Sequence, residues 1–351
     1  MGFSAFDETH GLVIVQGGRL IFERYGEGRG PDDTCMSWSK AKSITQALVG
    51  MLVKDGLIDI HARADVEEWQ APGDPRGAIT LDQLLRMSSG LEFSEVYLPD
   101  QPSDTIEMMW GSGKDDVAHY AADKPLAHPV GSYWSYSSGT TNIVARIAAR
   151  AAGAHGAAFH DFMKQRLFGP LGMTSPLPKF DTAGTFIGSS FCFTTPRDFA
   201  RFGLLYLRDG IWEGERLLPE GWVDYARTPT PQPIDAERRY GAHWWLDLGG
   251  TGAFSANGHE GQFTLIAPEL DLVVVRHGKT PTERKDDLKA WLAELVEEDT
   301  PRAKRDLAAS SGATETGTAG AALQRARAQL QQAQDAFRPL ADSECPLVKK
   351  N

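Results

Sequence analysis

The sequence is poor in cysteine and in positive charge, and both shortages exclude classes of function. Three cysteines, Cys35, Cys192 and Cys345, occur in 351 residues, and their spacing matches no zinc or CxxC pattern. An odd number cannot all pair within one chain, so we expect reduced structural thiols. Asp and Glu outnumber Lys and Arg by 47 to 36, giving a formal net charge of −11. This balance argues against a nucleic-acid partner and against an anionic membrane surface.

Long apolar runs are missing as well. The N-terminal residues MGFSAFDETHGLVIV lack a basic segment followed by an apolar one, so we predict no signal peptide. No apolar run reaches the length of a transmembrane helix. We therefore expect a cytoplasmic protein without a membrane span, or an exported one if a leader precedes this sequence.

Apolar residues make up 41% of the chain and follow a pattern of strands at both ends with helices between. GLVIV and RLIFERYG flank a Gly-Gly turn and predict a β-hairpin. YGAHWWLDL, GQFTLIAP and LDLVVVRHG predict three later strands, and ERKDDLKAWLAELVEE then predicts an amphipathic helix. LDQLLRM, TTNIVARIAARAA and TPRDFARFGLLYL predict helices in the middle.

These elements predict an α/β (α+β) domain over residues 1–298. Its mainly antiparallel sheet would be built from both termini, residues 11–57 and 240–298, and would be flanked by helices. A helix-rich region, residues 58–239, would be inserted between them. A catalytic cleft is expected where the two parts meet.

Residues 299–351 differ in composition and predict a linker followed by a C-terminal helical tail. The tail helix would dock on the body or fray, with weak self-association as the alternative. Its heptad-like apolar positions are Leu323, Ala326, Leu330, Ala333 and Phe337.

Residues 35–50, CMSWSKAKSITQALVG, contain two overlapping Ser-x-x-Lys patterns, Ser37 to Lys40 and Ser39 to Lys42. A serine becomes a useful nucleophile when a base lies within hydrogen-bond reach, and burial can lower the pKa of lysine enough for that task. On a helix starting at Ser39, Lys40 projects toward the apolar face, whereas Ser39 and Lys42 lie one turn apart on the other side. This geometry favours Ser39 with Lys42. Because an unpaired lysine is costly in a core, Lys40 is expected to be a solvated or rim charge.

Two further motifs follow in order. PVGSYWSYSSGTTNIVARI places Tyr136 two residues before Ser138, and NGHEGQFTLIAPELDLVVV places His259-Glu-Gly261 directly before a strand. With Ser-x-x-Lys, they resemble the active-site signature of serine β-lactamases and penicillin-binding-type enzymes. The resemblance runs from about residue 11 to 297. Its nearest branch is class C-like, with esterases and 6-aminohexanoate-dimer-hydrolase-like amidases.

This resemblance implies a role for each matching residue. Ser39 would be the acylated nucleophile and Lys42 its base. Tyr136, with phenolate character supported by Lys42, would relay a proton to or from the leaving group. Ser138 would orient Lys42 or a substrate amide. Acyl specificity would depend on loops such as residues 92–116.

The third motif would complete the substrate site. His259 would bind a substrate carboxylate or steady the tyrosine, and Gly261 would let the strand approach the substrate through its backbone. The backbone N–H groups of Ser39 and Gln262 would form the oxyanion hole. Glu260 stands where β-lactamases have threonine, and a carboxylate there disfavours an anionic β-lactam.

The sequence therefore predicts a serine hydrolase of small esters or amides that uses no cofactor and no metal. A β-lactamase or D-amino-acid peptidase is one alternative, and a catalytically silent binding or scaffold protein is another. The HEG motif does not extend to HExxH, and GKT at 278–280 lacks the first glycine of a P-loop. The sequence contains no GxSxG motif, and this argues against an α/β-hydrolase.

Overall fold

The computed structural model describes residues 8–98, 100–232 and 239–298. Nine α-helices lie in these ranges: α1 (Ala41–Lys54), α2 (Leu81–Leu85), α3 (Asp104–Trp110), α4 (Val117–Ala122), α5 (Ser138–Ala151), α6 (Ala157–Met163), α7 (Pro196–Leu207), α8 (Trp222–Arg227) and α9 (Lys285–Glu298). The strands of the same ranges are β1 (Glu8–Gln16), β2 (Arg19–Tyr25), β3 (Leu177–Pro178), β4 (Cys192–Phe193), β5 (Ile211–Trp212), β6 (Glu215–Arg216), β7 (Arg239–Tyr240), β8 (Trp245–Leu246), β9 (Phe254–Gly258), β10 (Gln262–Ala267) and β11 (Leu272–Lys279).

The main sheet is antiparallel and is assembled from the two ends of the described chain. Its strand order is β2-β1-β11-β10-β9-β8-β7. β1 pairs with β11 along its whole length and with β2 through the predicted hairpin. Gly17 and Gly18 both have positive φ, +59° and +72°, which suits the tight turn between the two strands. The predicted mixed fold with a sheet built from both termini is confirmed.

Helix α7 lies against this sheet at close range. An added Cβ on Gly203 would lie 2.6 Å from Cγ1 of Val273 on β11, so only glycine permits this approach. The helix begins with the Thr195 side chain accepting a hydrogen bond from the Asp198 amide and with Pro196 in the first position. A cap and an apolar face together fix this helix on the sheet.

Helices α2 to α6 and α8 lie within residues 58–239, and α1 connects them to the sheet. Residues 41–52 of α1 are all buried. α1 contacts α5 in the helical region, and the 3-10 turn Trp38–Lys40 just before α1 contacts β9 and β10. The start of α1 therefore lies between sheet and helices, where the cleft was expected.

The segment YGAHWWLDL is not the single strand that its sequence predicts. It folds into β7 and β8, joined by a turn in which His243 has a φ of +58°. An added Cβ on Gly241 would lie 1.9 Å from the Ala226 carbonyl oxygen, and the His243 amide donates to the Leu85 carbonyl at 3.1 Å. These contacts to α8 and α2 bend the segment, and they are invisible in its alternating pattern.

The chain divides into two compact units, Met1–Trp291 and Leu292–Asn351, so the boundary falls inside α9. Of the second unit, the described ranges include only the end of that helix. The predicted linker and helical tail, residues 299–351, lie outside the described residues. No helix within the described ranges has the length and apolar character needed to cross a membrane.

Candidate active site

The turn that carries Ser39 is held on both sides by its neighbours. The Ser37 hydroxyl is buried, lies 3.0 Å from the Ser190 carbonyl oxygen, and accepts a hydrogen bond from the Cys192 amide at 3.0 Å. Trp38 has a φ of +47°, a region that bulky residues rarely adopt. Ser39 itself remains partly exposed. Of the two overlapping serines, Ser37 is thus bound into the structure and Ser39 is available.

The Lys42 amine contacts three oxygen atoms. Its Nζ lies 3.0 Å from Ser39 Oγ, 3.0 Å from Ser138 Oγ and 3.0 Å from the Ser189 carbonyl oxygen. The side chain is buried, and this burial lowers the pKa of Lys42 to about 8, although the negative charge of Glu95 opposes the change. The structure brings the predicted Ser39, Lys42 and Ser138 into one hydrogen-bonded group.

Glu95 completes this group, and no sequence pattern indicated it. Its carboxylate accepts hydrogen bonds from the Ser138 hydroxyl at 2.6 Å and the Ser138 amide at 2.7 Å. The Tyr97 hydroxyl donates to it at 2.7 Å and the Thr105 hydroxyl at 2.9 Å. A single carboxylate in an irregular loop carries no periodic signal, although the loop was expected to affect specificity. Ser189 was missed for the same reason, because its contribution is a backbone carbonyl.

Tyr136 lies beside the same amine. Lys42 Nζ is 4.8 Å from the centroid of the Tyr136 ring. Burial raises the pKa of the Tyr136 phenol, the charge of Glu95 raises it further, and a hydrogen bond with the Ser39 side chain opposes both. The phenol is therefore protonated at neutral pH. This differs from the expected phenolate character, because burial and the charge of Glu95 both disfavour the anion.

The His259-Glu-Gly261 motif forms a 3-10 turn between β9 and β10. The His259 ring is exposed and lies 5.4 Å from the Trp38 ring and 5.3 Å from the Tyr97 ring, centroid to centroid. The part of the ring that packs against these neighbours is desolvated, which lowers the pKa of His259 and leaves the ring neutral at neutral pH. Tyr136 is not among these ring contacts.

Gly261 and Gln262, the next two predicted site residues, lie where β10 begins and are positioned by contacts on the side away from the site. Gly261 has a φ of +79°, and an added Cβ would lie 2.6 Å from Leu288 Cδ2 and 2.8 Å from an Arg276 nitrogen. Glycine is thus required by the packing behind the turn. The Gln262 side chain is bonded to β11, where its Oε1 accepts from the Gly278 amide at 3.1 Å. Only the backbone of Gln262 is left to face the site.

Lys40 is buried, and its prediction as a solvated or rim charge is wrong. Its exposed fraction is 0%. Nζ lies 2.7 Å from His277 Nε2, 3.2 Å from Thr264 Oγ1 and 3.4 Å from the centroid of the Phe199 ring. Burial lowers the pKa of Lys40 well below its usual value, because a charged amine is costly in the core.

No group of three or more His, Cys, Asp and Glu side chains in the described part of the chain could hold a metal ion. The group around Ser39 contains a hydroxyl nucleophile, an amine of lowered pKa and a phenol, which together can perform acyl transfer through proton transfers alone.

The chain is similar to known proteins of one family. The family model described as Beta-lactamase matches residues 4–298. The 6-aminohexanoate-dimer hydrolase of Paenarthrobacter ureafaciens is 23% identical over 302 residues, covering 81% of this chain and 75% of that protein.

Solved structures show the same fold. A Bacillus anthracis chain assigned as a 6-aminohexanoate-dimer hydrolase has a TM-score of 0.72 at 24% identity, covering 82% of this chain and 79% of its own. The penicillin binding protein of Bacillus halodurans has a TM-score of 0.65 at 16% identity, covering 83% and 97%. The family match and the hydrolase relative indicate a serine-type hydrolase of the amidase or esterase kind. The chain belongs to the Beta-lactamase family.

Proposed function

We propose that this protein hydrolyses small esters or amides through an acyl-enzyme on Ser39, with Lys42 as the general base. The observation that carries the proposal is the 3.0 Å contact between Ser39 Oγ and Lys42 Nζ. A base at this distance can take the hydroxyl proton as the oxygen attacks a carbonyl carbon. The lowered pKa of Lys42, about 8, leaves part of the amine neutral at neutral pH.

The other contacts of Lys42 orient its lone pair. A neutral amine has two N–H donors and one lone pair. The Ser189 carbonyl oxygen can only accept, so it takes one N–H. The Ser138 hydroxyl gives its single hydrogen to Glu95, so its oxygen accepts the second N–H. The lone pair is then left for the Ser39 hydroxyl. Glu95 therefore acts through Ser138 to prepare the base.

The protonated Tyr136 supplies the proton that the leaving group needs. The Ser39 oxygen forms a bond to the carbonyl carbon, and its proton passes to Lys42. As the bond to the leaving group breaks, the Tyr136 phenol donates a proton to that group and recovers one from Lys42. Water then attacks the acyl-enzyme, and the same groups return a proton to Ser39. The backbone N–H groups of Ser39 and Gln262 are the proposed oxyanion donors.

Charges near the site favour esters and amides over β-lactams and D-amino-acid peptides. The Glu260 carboxylate accepts a hydrogen bond from Trp38 Nε1 at 3.3 Å, directly beside the proposed nucleophile. The neutral His259 ring offers no positive charge to a substrate carboxylate. An anionic β-lactam would thus meet a like charge and no compensating one.

The test is intact-protein mass spectrometry after reaction with a fluorophosphonate probe. Wild type should gain one adduct, Ser39→Ala should gain none, and Ser37→Ala should label like wild type. Thermal melting shows that each variant is folded. A label that persists in folded Ser39→Ala, or disappears only in folded Ser37→Ala, overturns the assignment. Hydrolysis of p-nitrophenyl acetate and persistence of a penicillin adduct, measured on the same samples, separate esterase from β-lactam chemistry.

A further inference from the structure

Three aromatic side chains form a continuous surface beside the proposed nucleophile, and we call this surface the aromatic wall. It consists of Trp38, Phe191 and Trp110. The ring centroids of Trp38 and Phe191 are 6.2 Å apart, and those of Phe191 and Trp110 are 6.0 Å apart. Trp38 directly precedes Ser39, so the wall begins at the reacting residue. Its members come from three distant parts of the sequence that the fold brings together.

The wall is not covered by the rest of the described chain. Trp38 and Phe191 are half-buried, and Trp110, the last residue of α3, is 53% exposed. Nearby, Tyr97 is 45% exposed and contacts the His259 ring, which in turn contacts Trp38. Single exposed apolar residues are ordinary, but a contiguous exposed patch usually marks a binding site. Flat aromatic faces beside a nucleophile suit a flat apolar group.

The charges beside the wall oppose an anionic ligand. The Glu260 carboxylate is held against the Trp38 indole N–H at 3.3 Å. Glu95 accepts a hydrogen bond from Tyr97, whose ring belongs to the same surface region. Two carboxylates at this edge favour a group without negative charge.

A second cluster of rings adjoins Tyr136, and it distinguishes the two sides of the substrate. The Tyr136 ring lies 5.3 Å from Trp245 and 6.4 Å from Trp134. In the proposed mechanism, the Tyr136 hydroxyl protonates the leaving group, so that cluster belongs to the leaving-group side. The ring contacts of the aromatic wall do not include Tyr136, Trp134 or Trp245, so we assign the wall to the acyl side.

We propose that the aromatic wall binds the acyl part of the substrate and selects a flat apolar acyl group without negative charge, such as a phenyl-bearing one. This inference rests on the proposed acyl-enzyme at Ser39 and adds the class of acyl group. The leaving group is not restricted by it. Trp110 is its most informative residue, because its side chain is exposed and its removal leaves the core intact.

The experiment compares kcat/KM for three esters that share p-nitrophenol as leaving group. Their acyl groups are acetyl, phenylacetyl and an aliphatic chain of similar length that ends in a carboxylate. Wild type should prefer phenylacetyl over acetyl, and should disfavour the carboxylate. Trp110→Ala should lower the ratio of phenylacetyl to acetyl by about tenfold, since losing one aromatic contact surface is worth about that much. Dividing by acetyl turnover removes any general loss of activity from the comparison.

Two further variants make the test specific. Trp110→Phe retains a flat ring and should keep most of the phenylacetyl preference. Trp212→Ala removes a half-buried indole on β5, outside the ring contacts of the wall, and should leave the ratio unchanged. An unchanged ratio in Trp110→Ala, or an equal loss in Trp212→Ala, overturns the inference while acetyl hydrolysis upholds the proposed function. Absence of acetyl hydrolysis and of the Ser39 adduct in wild type overturns both.

Discussion

Lys40 Nζ lies 2.7 Å from His277 Nε2, and neither side chain has any solvent exposure. Burial lowers the pKa of both groups well below their usual values, which favours the neutral form of each side chain. Thr264 Oγ1 lies 3.2 Å from the same Nζ. Lys40 belongs to the turn that carries Ser39, whereas Thr264 and His277 belong to β10 and β11. The amine thus ties the nucleophile turn to two strands of the sheet.

We expect Lys40→Met to lower the free energy of unfolding by about 1–3 kcal/mol, because it leaves polar atoms of Thr264 and His277 buried without this partner. Urea denaturation at neutral pH measures the change. Thr264→Val removes one of these atoms without changing shape, so Lys40→Met should cost less in that background than in wild type. An equal cost in both backgrounds would contradict the hydrogen-bonded role of the amine.

The pH dependence of activity should follow Lys42. Its pKa in the folded protein is lowered to about 8, so the amine is mostly protonated below that pH and cannot accept the Ser39 proton. We expect kcat/KM for p-nitrophenyl acetate to fall about tenfold for each pH unit below this value. Stopped-flow or steady-state rates at a series of pH values give the midpoint of the pH profile of kcat/KM.

The same measurement tests Glu95. Its negative charge raises the pKa of Lys42 against the effect of burial. Glu95→Gln keeps an acceptor for Ser138 but removes the charge, so the midpoint should move to lower pH by roughly one unit. The control is Glu107→Gln, which removes an exposed carboxylate on α3 and should leave the midpoint of the pH profile unchanged. A midpoint that stays or rises in Glu95→Gln would refute the electrostatic coupling.

Local sequence patterns predicted the parts of this fold that depend on residues close together in the sequence. Alternating apolar residues around two glycines predict β1 and β2, and helical periodicity separates Ser39 and Lys42 from Lys40. The family signature then placed Ser138 next to Lys42, 96 residues apart in sequence. These predictions need only short-range geometry or a motif.

Lys40 and Glu95 could not be placed in this way. Lys40 was expected at the rim because a buried charge is costly. The fold instead supplies the buried amine with partners 224 and 237 residues further along the chain. Glu95 reaches Ser138 across 43 residues from an irregular loop. Contacts of this kind depend on the tertiary fold, and no periodicity of one segment encodes them.

Acid should destabilise the fold through His243, which is buried. Its Nδ1 lies 2.7 Å from the Leu85 carbonyl oxygen and its Nε2 2.9 Å from Thr141 Oγ1. Burial lowers its pKa from 6.5 to about 3. The unfolded chain therefore binds a proton below pH 6.5 that the folded chain does not bind until about pH 3. The contribution of His243 to the free energy of unfolding is complete above pH 6.5. It should fall by about 1.4 kcal/mol for each pH unit below that value.

Urea denaturation at about pH 7 and about pH 5 measures this loss, which should be about 2 kcal/mol from His243 alone. His243→Gln should reduce the pH dependence by that amount, although the buried His277 keeps a contribution of its own in both proteins. His61→Gln changes an exposed histidine and should retain the wild-type dependence. The same pH dependence in wild type and His243→Gln would show that this ring is not held neutral.

Tyr136→Phe should separate substrates by their leaving groups. p-Nitrophenolate leaves without a proton, whereas an amine or alkoxide needs one as its bond breaks. Removing the phenol should lower kcat/KM for an amide or alkyl ester by roughly 10²–10⁴-fold and for p-nitrophenyl acetate by less than about tenfold. Tyr133→Phe changes an exposed tyrosine three residues away and should affect neither substrate.

The comparison also distinguishes two roles for the same hydroxyl. If the Tyr136 phenol mainly positioned Ser39 or Lys42, its loss would slow attack on every carbonyl, and both substrates would decline together. If it protonates the leaving group, the loss grows with the basicity of that group. A protonated phenol at neutral pH, which burial and Glu95 maintain by raising its pKa, suits the second role. A series of esters with alcohols of increasing pKa should therefore show a steeper decline in Tyr136→Phe than in wild type.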